Sequence, residues 1–300
     1  MRTINVQGWT EIEEEGEQDP KSQLSSRPSE TSRIAVTFSE VTSSIDETQM
    51  GSDYIPGTGD SGASVERVLG EAASAVDRAL ELAFYIISHG EVVNICINIR
   101  GKFVGENVPD VSLTCTVEMN VLELGKMVYD YCLEEAVLLA QRYQTLGVEL
   151  YKCGSYHKQV SAAFLFSRAI KWLILTGPKE SEDDNKTSNG AVDLTEYNTV
   201  KCQCYNNIAL FYIQQGNSEL ALQAASSVLN TEPGNVKALY RRAVANIKLQ
   251  NYEVALQDLG KALTIDPENS QVKRQIAVVN NRQKHLDNQY AQAMKKFING

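Results

Sequence analysis

Residues 230–235 read NTEPGN, and residues 264–269 read TIDPEN, 34 positions further along the chain. The same interval relates two pairs of alanines, Ala209 with Ala243 and Ala221 with Ala255. The residues around these landmarks have apolar side chains at helical spacing from Glu134 onward. The second half of the chain is therefore predicted to be an array of repeated helix pairs.

A period of 34 residues, with small side chains where helices cross and a closing proline, is typical of the tetratricopeptide repeat. A looser earlier unit contains Gly147, Tyr151, Ala162, Phe166 and Ala169. Residues 134–298 are thus predicted to form three repeats and a capping helix, namely 137–175, 196–233 and 235–267, followed by 270–298. Residues 176–195 are polar and are predicted to be a flexible insertion within the array.

Residues 33–125 alternate between apolar and polar side chains, as half-buried strands do. Three stretches show this period of two, at residues 33–38, 92–99 and 112–119. Residues 76–87 have helical spacing and end shortly before Gly90, a helix-stop residue. This predicts an α+β domain, with a small antiparallel sheet wrapped on one short helix. Residues 1–32 are rich in Glu, Ser, Gln and Pro and are predicted to be a disordered acidic tail.

The charge of the chain limits its partners. It has 300 residues and a formal net charge of −10. We expect no binding of nucleic acid, because neutralising phosphates requires a basic surface. No apolar run reaches the roughly 18 residues needed to cross a bilayer, and the first residues lack a signal-peptide pattern. We therefore expect a protein of the cytoplasm or nucleus without membrane insertion.

The six cysteines are expected to be reduced thiols in that compartment. Cys96, Cys115 and Cys132 lie in apolar patterns and are predicted to be small core residues. Cys202 and Cys204 form a C-x-C pair, but neither a second pair nor a histidine cluster accompanies it. We therefore expect no metal site and no other cofactor.

Several segments resemble the FKBP-type immunophilins, in which a prolyl-isomerase domain precedes three tetratricopeptide repeats. The resemblance covers roughly residues 33–298 and is carried mainly by 68–71, 79–91, 112–119 and 235–242. It implies an FKBP-like antiparallel half-barrel wrapped on one short helix, followed by an all-α tetratricopeptide superhelix with a capping helix. The repeat half matches closely, whereas the isomerase half matches in outline.

The resemblance also assigns an isomerase pocket, which in the family is lined by aromatic residues with a tryptophan floor. The floor position falls on Leu80, and the other aromatic positions fall on Phe38, Val104 and Cys115. A phenylalanine lacks the family's tyrosine hydroxyl, and the remaining three are not aromatic. Because isomerisation requires a pocket that desolvates the twisted imide, this domain is predicted to be degenerate and not an enzyme.

The repeat half of such immunophilins often binds the acidic C-terminal tail of a heat-shock chaperone through a five-residue carboxylate clamp. Asn207, Lys237 and Arg241 match the clamp, while Gln144 and Val148 replace its first-repeat Lys and Asn. A hydrogen bond to a charged group contributes roughly 1.5–3 kcal/mol. Losing two would weaken binding of the tail by about 10²–10⁴-fold.

The resemblance therefore implies a non-catalytic scaffold or co-chaperone that binds a client protein. Divergent family members with an inactive isomerase domain act in this way, and one of them binds a casein-kinase-one-type circadian kinase. Two alternatives remain open from the sequence: an active prolyl isomerase with an atypical pocket, and a plain receptor for a chaperone tail.

Overall fold

The computed structural model describes most of the chain. The described residues are 2–7, 11–15, 27–44, 52–55, 62, 64–72, 74–99, 102–103, 106–107, 110–154, 156–177 and 194–299. By its internal contacts the chain divides into two compact units. The first comprises residues 1–165 and 174–182, and the second comprises residues 166–173 and 183–300.

The first unit is built on a six-stranded sheet. Its strands are β1 (Arg2–Gln7), β2 (Glu11–Glu15), β3 (Arg33–Ser43), β4 (Ser64–Val68), β5 (Glu91–Ile99) and, after the short β6 (Lys102–Phe103) and β7 (Glu106–Asn107), β8 (Val111–Glu123). The order across the sheet is β2-β1-β5-β8-β3-β4, while β6 and β7 pair separately. The predicted α+β class is confirmed. The sheet is mixed, however, because β1 runs parallel to β5 while the other pairs are antiparallel.

The prediction of a disordered tail over residues 1–32 is wrong where the structure describes this segment. Ile4 and Val6 are fully buried in the sheet core, and the guanidinium of Arg2 donates a hydrogen bond to the Ile86 carbonyl at 2.8 Å. The segment is polar on average, and this hid the alternation of apolar and polar residues in β1, which is typical of a strand. Strand β2 lies at the edge of the sheet, where its exposed Glu13 and Glu15 are readily solvated.

Helix α1 (Ala75–Phe84) covers one face of the sheet. Ser74 caps its N-terminus, since the serine hydroxyl accepts a hydrogen bond from the Asp77 amide at 3.0 Å. Val76, Leu80 and Phe84 recur at intervals of four residues and are buried against the strands. The helix is shorter than the predicted 76–87, because residues 85–88 form turn and irregular backbone instead.

Seven further helices follow in the described part of the chain. They are α2 (Leu133–Lys152), α3 (Tyr156–Thr176), α4 (Leu194–Gln214), α5 (Ser218–Thr231), α6 (Val236–Lys248), α7 (Tyr252–Ile265) and α8 (Ser270–Asn299). Three of these helices begin with the same cap. The side chains of Asn217, Asn235 and Asn269 each accept a hydrogen bond from the backbone amide three residues later. Within the described residues, no helix has the length and apolar character needed to cross a membrane.

The first unit includes α2 and the beginning of α3 as well as the sheet. Arg78 of α1 is 6% exposed, and its guanidinium donates a hydrogen bond to the Ser161 hydroxyl of α3 at 2.6 Å. The Tyr143 hydroxyl of α2 likewise donates to the Glu30 carboxylate at 3.1 Å. Part of the first predicted repeat therefore packs with the sheet domain.

The second unit has a core of small and aliphatic residues contributed by α4 to α8, including Ala243, Ala255 and Leu259. At one side of this core, Arg242 of α6 makes a two-point ion pair with Asp258 of α7, with N–O distances of 2.8 and 2.7 Å. Asp258 is only 2% exposed. The pair is thus a charged contact between the two helices of one repeat.

The cysteines differ sharply in exposure. Cys115 and Cys204 are buried, and burial raises the pKa of each thiol to about 12. Burial, assisted by the nearby Glu232 carboxylate, raises the pKa of Cys202 to about 11. Of the three cysteines predicted to be core residues, only Cys115 is buried; Cys96 is partly buried, and Cys132 is exposed at the N-cap of α2. The C-x-C pair is therefore part of the helical core, and no group of metal-ligating side chains was found among the described residues.

We expect Cys132 and Cys153, which are exposed, to react rapidly with iodoacetamide at pH 8, and the partly buried Cys96 to react more slowly. The thiolate is the reactive form, and the raised pKa keeps Cys115, Cys202 and Cys204 protonated at this pH. Mass spectrometry of tryptic peptides after timed alkylation measures the difference, with urea-unfolded protein as the fully labelled control. Rapid labelling of Cys204 in the folded protein would contradict the buried arrangement.

Candidate peptide-binding face and isomerase-like core

The positions that the resemblance assigns to the isomerase pocket lie in the interior of the first unit. Phe38 on β3, Leu80 on α1 and Cys115 on β8 are 0–1% exposed and share one hydrophobic core. Val104 lies outside the described residues. Phe38, Leu80 and Cys115 therefore serve as packing residues and offer almost no surface to a ligand.

A tyrosine that sequence reasoning missed belongs to the same core. Tyr54 is 3% exposed, its ring lies 5.8 Å from that of Phe84, and its hydroxyl donates to the Glu81 carboxylate at 2.8 Å. Burial, reinforced by the Glu81 carboxylate, raises the pKa of Tyr54 far above its usual range. The phenol therefore remains a hydrogen-bond donor at physiological pH.

Two carboxylates on α1 hold the surrounding loops. Glu81 also accepts from the amides of Gly70 at 2.8 Å and Ala72 at 3.1 Å. Asp77 accepts from the Ser52 hydroxyl and, at 3.1 Å, from the Asp53 amide. Burial raises the pKa of Asp77, although these donors oppose the shift. The two carboxylates therefore hold the segments before α1 against that helix, which is a structural role. The only sequence signal was a glutamate within an apolar helical run.

The matched clamp residues lie on α4 and α6 of the second unit. Lys237 is exposed, whereas Asn207 and Arg241 are half-buried. The guanidinium of Arg241 donates a hydrogen bond to Asn206 of α4 at 2.8 Å, which fixes its position. Gln144 and Val148, at the positions that depart from the clamp, are half-buried on α2 of the first unit.

Burial repeats along the second unit with the period of 34 residues. Ala238 of α6 and Val272 of α8 are equivalent and fully buried, and so are Ala245 and Val279, which are 0–1% exposed. Around these buried positions, four further positions recur on each helix with the same period and stay partly or fully exposed. We call this set the repeat face: Gln203, Asn207, Leu210 and Gln214 on α4; Lys237, Arg241, Val244 and Lys248 on α6; Gln271, Gln275, Val278 and Arg282 on α8.

The three rows of the repeat face are linked by hydrogen bonds. The Arg241–Asn206 contact joins α6 to α4, and the Gln275 amide donates to the Tyr240 hydroxyl at 3.4 Å, joining α8 to α6. Each row spans 11 residues, about 16 Å at 1.5 Å per residue. The rows therefore form one continuous surface, as the alternate helices of a solenoid do.

The chemistry of the repeat face differs from that of the chain as a whole. Its twelve residues include four cations, Lys237, Arg241, Lys248 and Arg282, and no acidic residue. The chain carries a net charge of −10. Such a face attracts acidic groups and repels basic ones, and its half-buried Leu210 and Val244 add an apolar row. Extending the 34-residue period into the last helix would have revealed these positions from the sequence.

Family profiles match the helical part of the chain. The tetratricopeptide repeat profile matches residues 203–235, and the Fis1 C-terminal tetratricopeptide repeat profile matches residues 236–284. The predicted tetratricopeptide repeats are thus confirmed over residues 203–284. The concave surfaces of such arrays are extended and suited to binding other chains.

Known FK506-binding and tetratricopeptide repeat proteins are similar to part of this chain. FK506-binding protein-like of Mus musculus is 32% identical over 115 residues, which are 38% of this chain and 27% of that protein. Tetratricopeptide repeat protein 9C of Xenopus tropicalis is 27% identical over 126 residues, 40% of this chain and 69% of that protein. The C-terminal TPR-containing domain of an FK506-binding protein from Plasmodium falciparum has a TM-score of 0.46 and 25% identity, covering 54% of this chain and 99% of that one. The chain thus covers about a quarter of the mouse relative.

Proposed function

We propose that the chain is a non-catalytic scaffold or co-chaperone with the organisation of an FKBP-type immunophilin followed by tetratricopeptide repeats. The observation that carries the proposal is the repeat face, which concentrates four cations without an acidic residue in an acidic chain. Its ligand is an acidic segment of a client protein or of a chaperone tail. We place this interaction in the cytoplasm or the nucleus.

The scaffold proposal predicts that Lys237→Ala weakens binding of an acidic peptide roughly tenfold. Lys237 is exposed on the face, so its removal should leave the fold intact while losing a charged hydrogen bond to the ligand. Fluorescence anisotropy with a labelled peptide that ends in Glu-Glu-Val-Asp measures the change. Lys261→Ala, an exposed lysine of α7 outside the face, is the matched control. Equal affinities of the two variants would remove the face from the proposal.

We further propose that the sheet domain does not catalyse prolyl isomerisation. Support comes from Phe38, Leu80 and Cys115, which are almost completely buried and none of which provides a tyrosine hydroxyl or a tryptophan floor. Without catalysis, cis-to-trans relaxation of a proline peptide takes tens of seconds at 25 °C. We expect that rate to be unchanged by micromolar protein in a protease-coupled assay. Acceleration that Leu80→Ala abolishes would instead establish the alternative, an active isomerase with an atypical pocket.

A finer part of the proposal concerns the client. The family resemblance implies a casein-kinase-one-type circadian kinase, whose activity the scaffold would modulate. Purified kinase mixed with the chain, and assayed for co-elution and for phosphorylation of a casein substrate, tests this directly. Repeating the assay with Lys237→Ala tells whether the kinase uses the repeat face, and the absence of co-elution at micromolar concentrations would remove the kinase from the proposal.

A further inference from the structure

The cations of the repeat face fall into two groups at opposite ends of the rows. Lys237 and Arg241 lie one turn apart near the start of α6. Lys248 ends α6, and Arg282 occupies the equivalent position on α8, 34 residues later. Both Lys248 and Arg282 are exposed. Because α6 and α8 are linked through Tyr240 and Gln275, these two cations lie at the same end of neighbouring rows.

An apolar row separates the two cationic groups. Leu210 on α4, Val244 on α6 and Val278 on α8 are equivalent positions, and Val278 is 41% exposed. Along α6, Val244 follows Arg241 by three residues and precedes Lys248 by four. A ligand that spans the face therefore meets positive charge, then aliphatic side chains, then positive charge again.

We infer that the repeat face binds an internal peptide segment in which two acidic sites flank an aliphatic residue. This inference rests on the proposed scaffold function and specifies its ligand. Lys248 and Arg282 form a second acidic-residue site, separate from the clamp remnant at Lys237 and Arg241. A free C-terminal carboxylate is not required, because side-chain carboxylates satisfy both sites.

The spacing of the ligand follows from helix geometry. Arg241 and Lys248 are seven residues apart, and Lys237 and Lys248 are eleven apart, which corresponds to roughly 10 and 16 Å along the helix. An extended peptide advances about 3.3 Å per residue. The two acidic sites of the ligand are therefore separated by roughly three to five residues, with the aliphatic side chain between them.

The occupant is a peptide because of the charge and the shape of the face. A symmetric dimer through this face would bring a second cationic face against the first, which like charges oppose. An acidic extended segment complements all four cations while its aliphatic residue covers the central row. A peptide of this kind fits within a row of about 16 Å.

The test uses the full chain and peptides acetylated at one end and amidated at the other, so that no terminal charge contributes. The two-site peptide is Glu-Glu-Ala-Leu-Ala-Asp-Glu, and the one-site peptide replaces Asp-Glu by Ser-Ser. We expect the two-site peptide to bind about tenfold more tightly than the one-site peptide. The double variant K248A/R282A should abolish that advantage, so that it binds the two peptides with equal affinity. K261A is the control for general loss of charge.

Each outcome of the test separates the inference from the proposed function. An advantage that survives in K248A/R282A would overturn the second site. Binding restricted to a peptide with a free carboxylate, and dependent on Lys237, would overturn the inference while keeping the scaffold. Failure of every peptide to bind at millimolar concentration would overturn the inference and would remove the repeat face from the proposed function. Circular dichroism of each variant at the assay temperature confirms that the comparison is made on folded protein.

Discussion

Arg242→Ala should lower the free energy of unfolding of the second unit by about 3–5 kcal/mol. The guanidinium meets both oxygens of Asp258 at 2.8 and 2.7 Å, and Asp258 is 2% exposed. These hydrogen bonds raise the pKa of Arg242. Alanine would leave a buried carboxylate without its counter-charge, at a contact that joins the two helices of one repeat. The loss is therefore larger than that of an ordinary surface ion pair.

Urea unfolding followed by the fluorescence of Trp172, which is 2% exposed and belongs to the second unit, measures the loss. A Trp9→Phe background removes the other tryptophan. The matched control is Lys273→Ala, because its 3.6 Å contact with Glu268 is exposed on both sides and contributes at most about 1 kcal/mol. Replacing both Arg242 and Asp258 by leucine should recover most of the loss. Equal effects of Arg242→Ala and Lys273→Ala would contradict the buried pair.

The repeats could be predicted because their signal is local and occurs twice. NTEPGN and TIDPEN each end one helix and cap the next, as the hydrogen bonds of Asn235 and Asn269 show. The strands of the first unit were also predictable where apolar residues alternate over long stretches, as in β5 and β8. Two other strands were not predictable. The edge strand β4 reads Ser-Val-Glu-Arg-Val and lacks a continuous apolar face. Strand β1 is short and is stabilised by pairing with β5, 91 positions later in the chain.

The residues of the candidate sites also differ in whether the sequence could predict them. Lys237 and Arg241 could be predicted to share a helix face from their spacing of four residues, and the structure adds the contact with Asn206. Lys248 and Arg282 are equivalent by the 34-residue period, and the structure adds that both are exposed. The Tyr54–Glu81 hydrogen bond joins residues 27 positions apart through a tertiary contact. No pattern within either segment indicates it, so it had to come from the structure.

Glu81→Ala is expected to destabilise the first unit by about 3–9 kcal/mol, because three buried donors would each lose an acceptor at about 1–3 kcal/mol. The donors are the Tyr54 hydroxyl and the amides of Gly70 and Ala72. A typical domain has a net stability of about 5–15 kcal/mol. The substitution therefore approaches complete loss of the sheet domain, while the second unit retains its own core.

Hydrogen–deuterium exchange of peptides from β5 and β8, compared with peptides from α6, measures this selective loss. Glu66→Ala is the matched control, because its 3.0 Å pair with Arg33 is exposed and contributes at most about 1 kcal/mol. Glu81→Gln should fall between the two, since the amide retains an acceptor oxygen but loses the charge. Equal hydrogen–deuterium exchange in the Glu81→Ala and Glu66→Ala variants would mean that the Glu81 carboxylate does not hold the loops. A difference between the two variants would show that Glu81 holds the loops before α1, and that the interior of the first unit serves its stability.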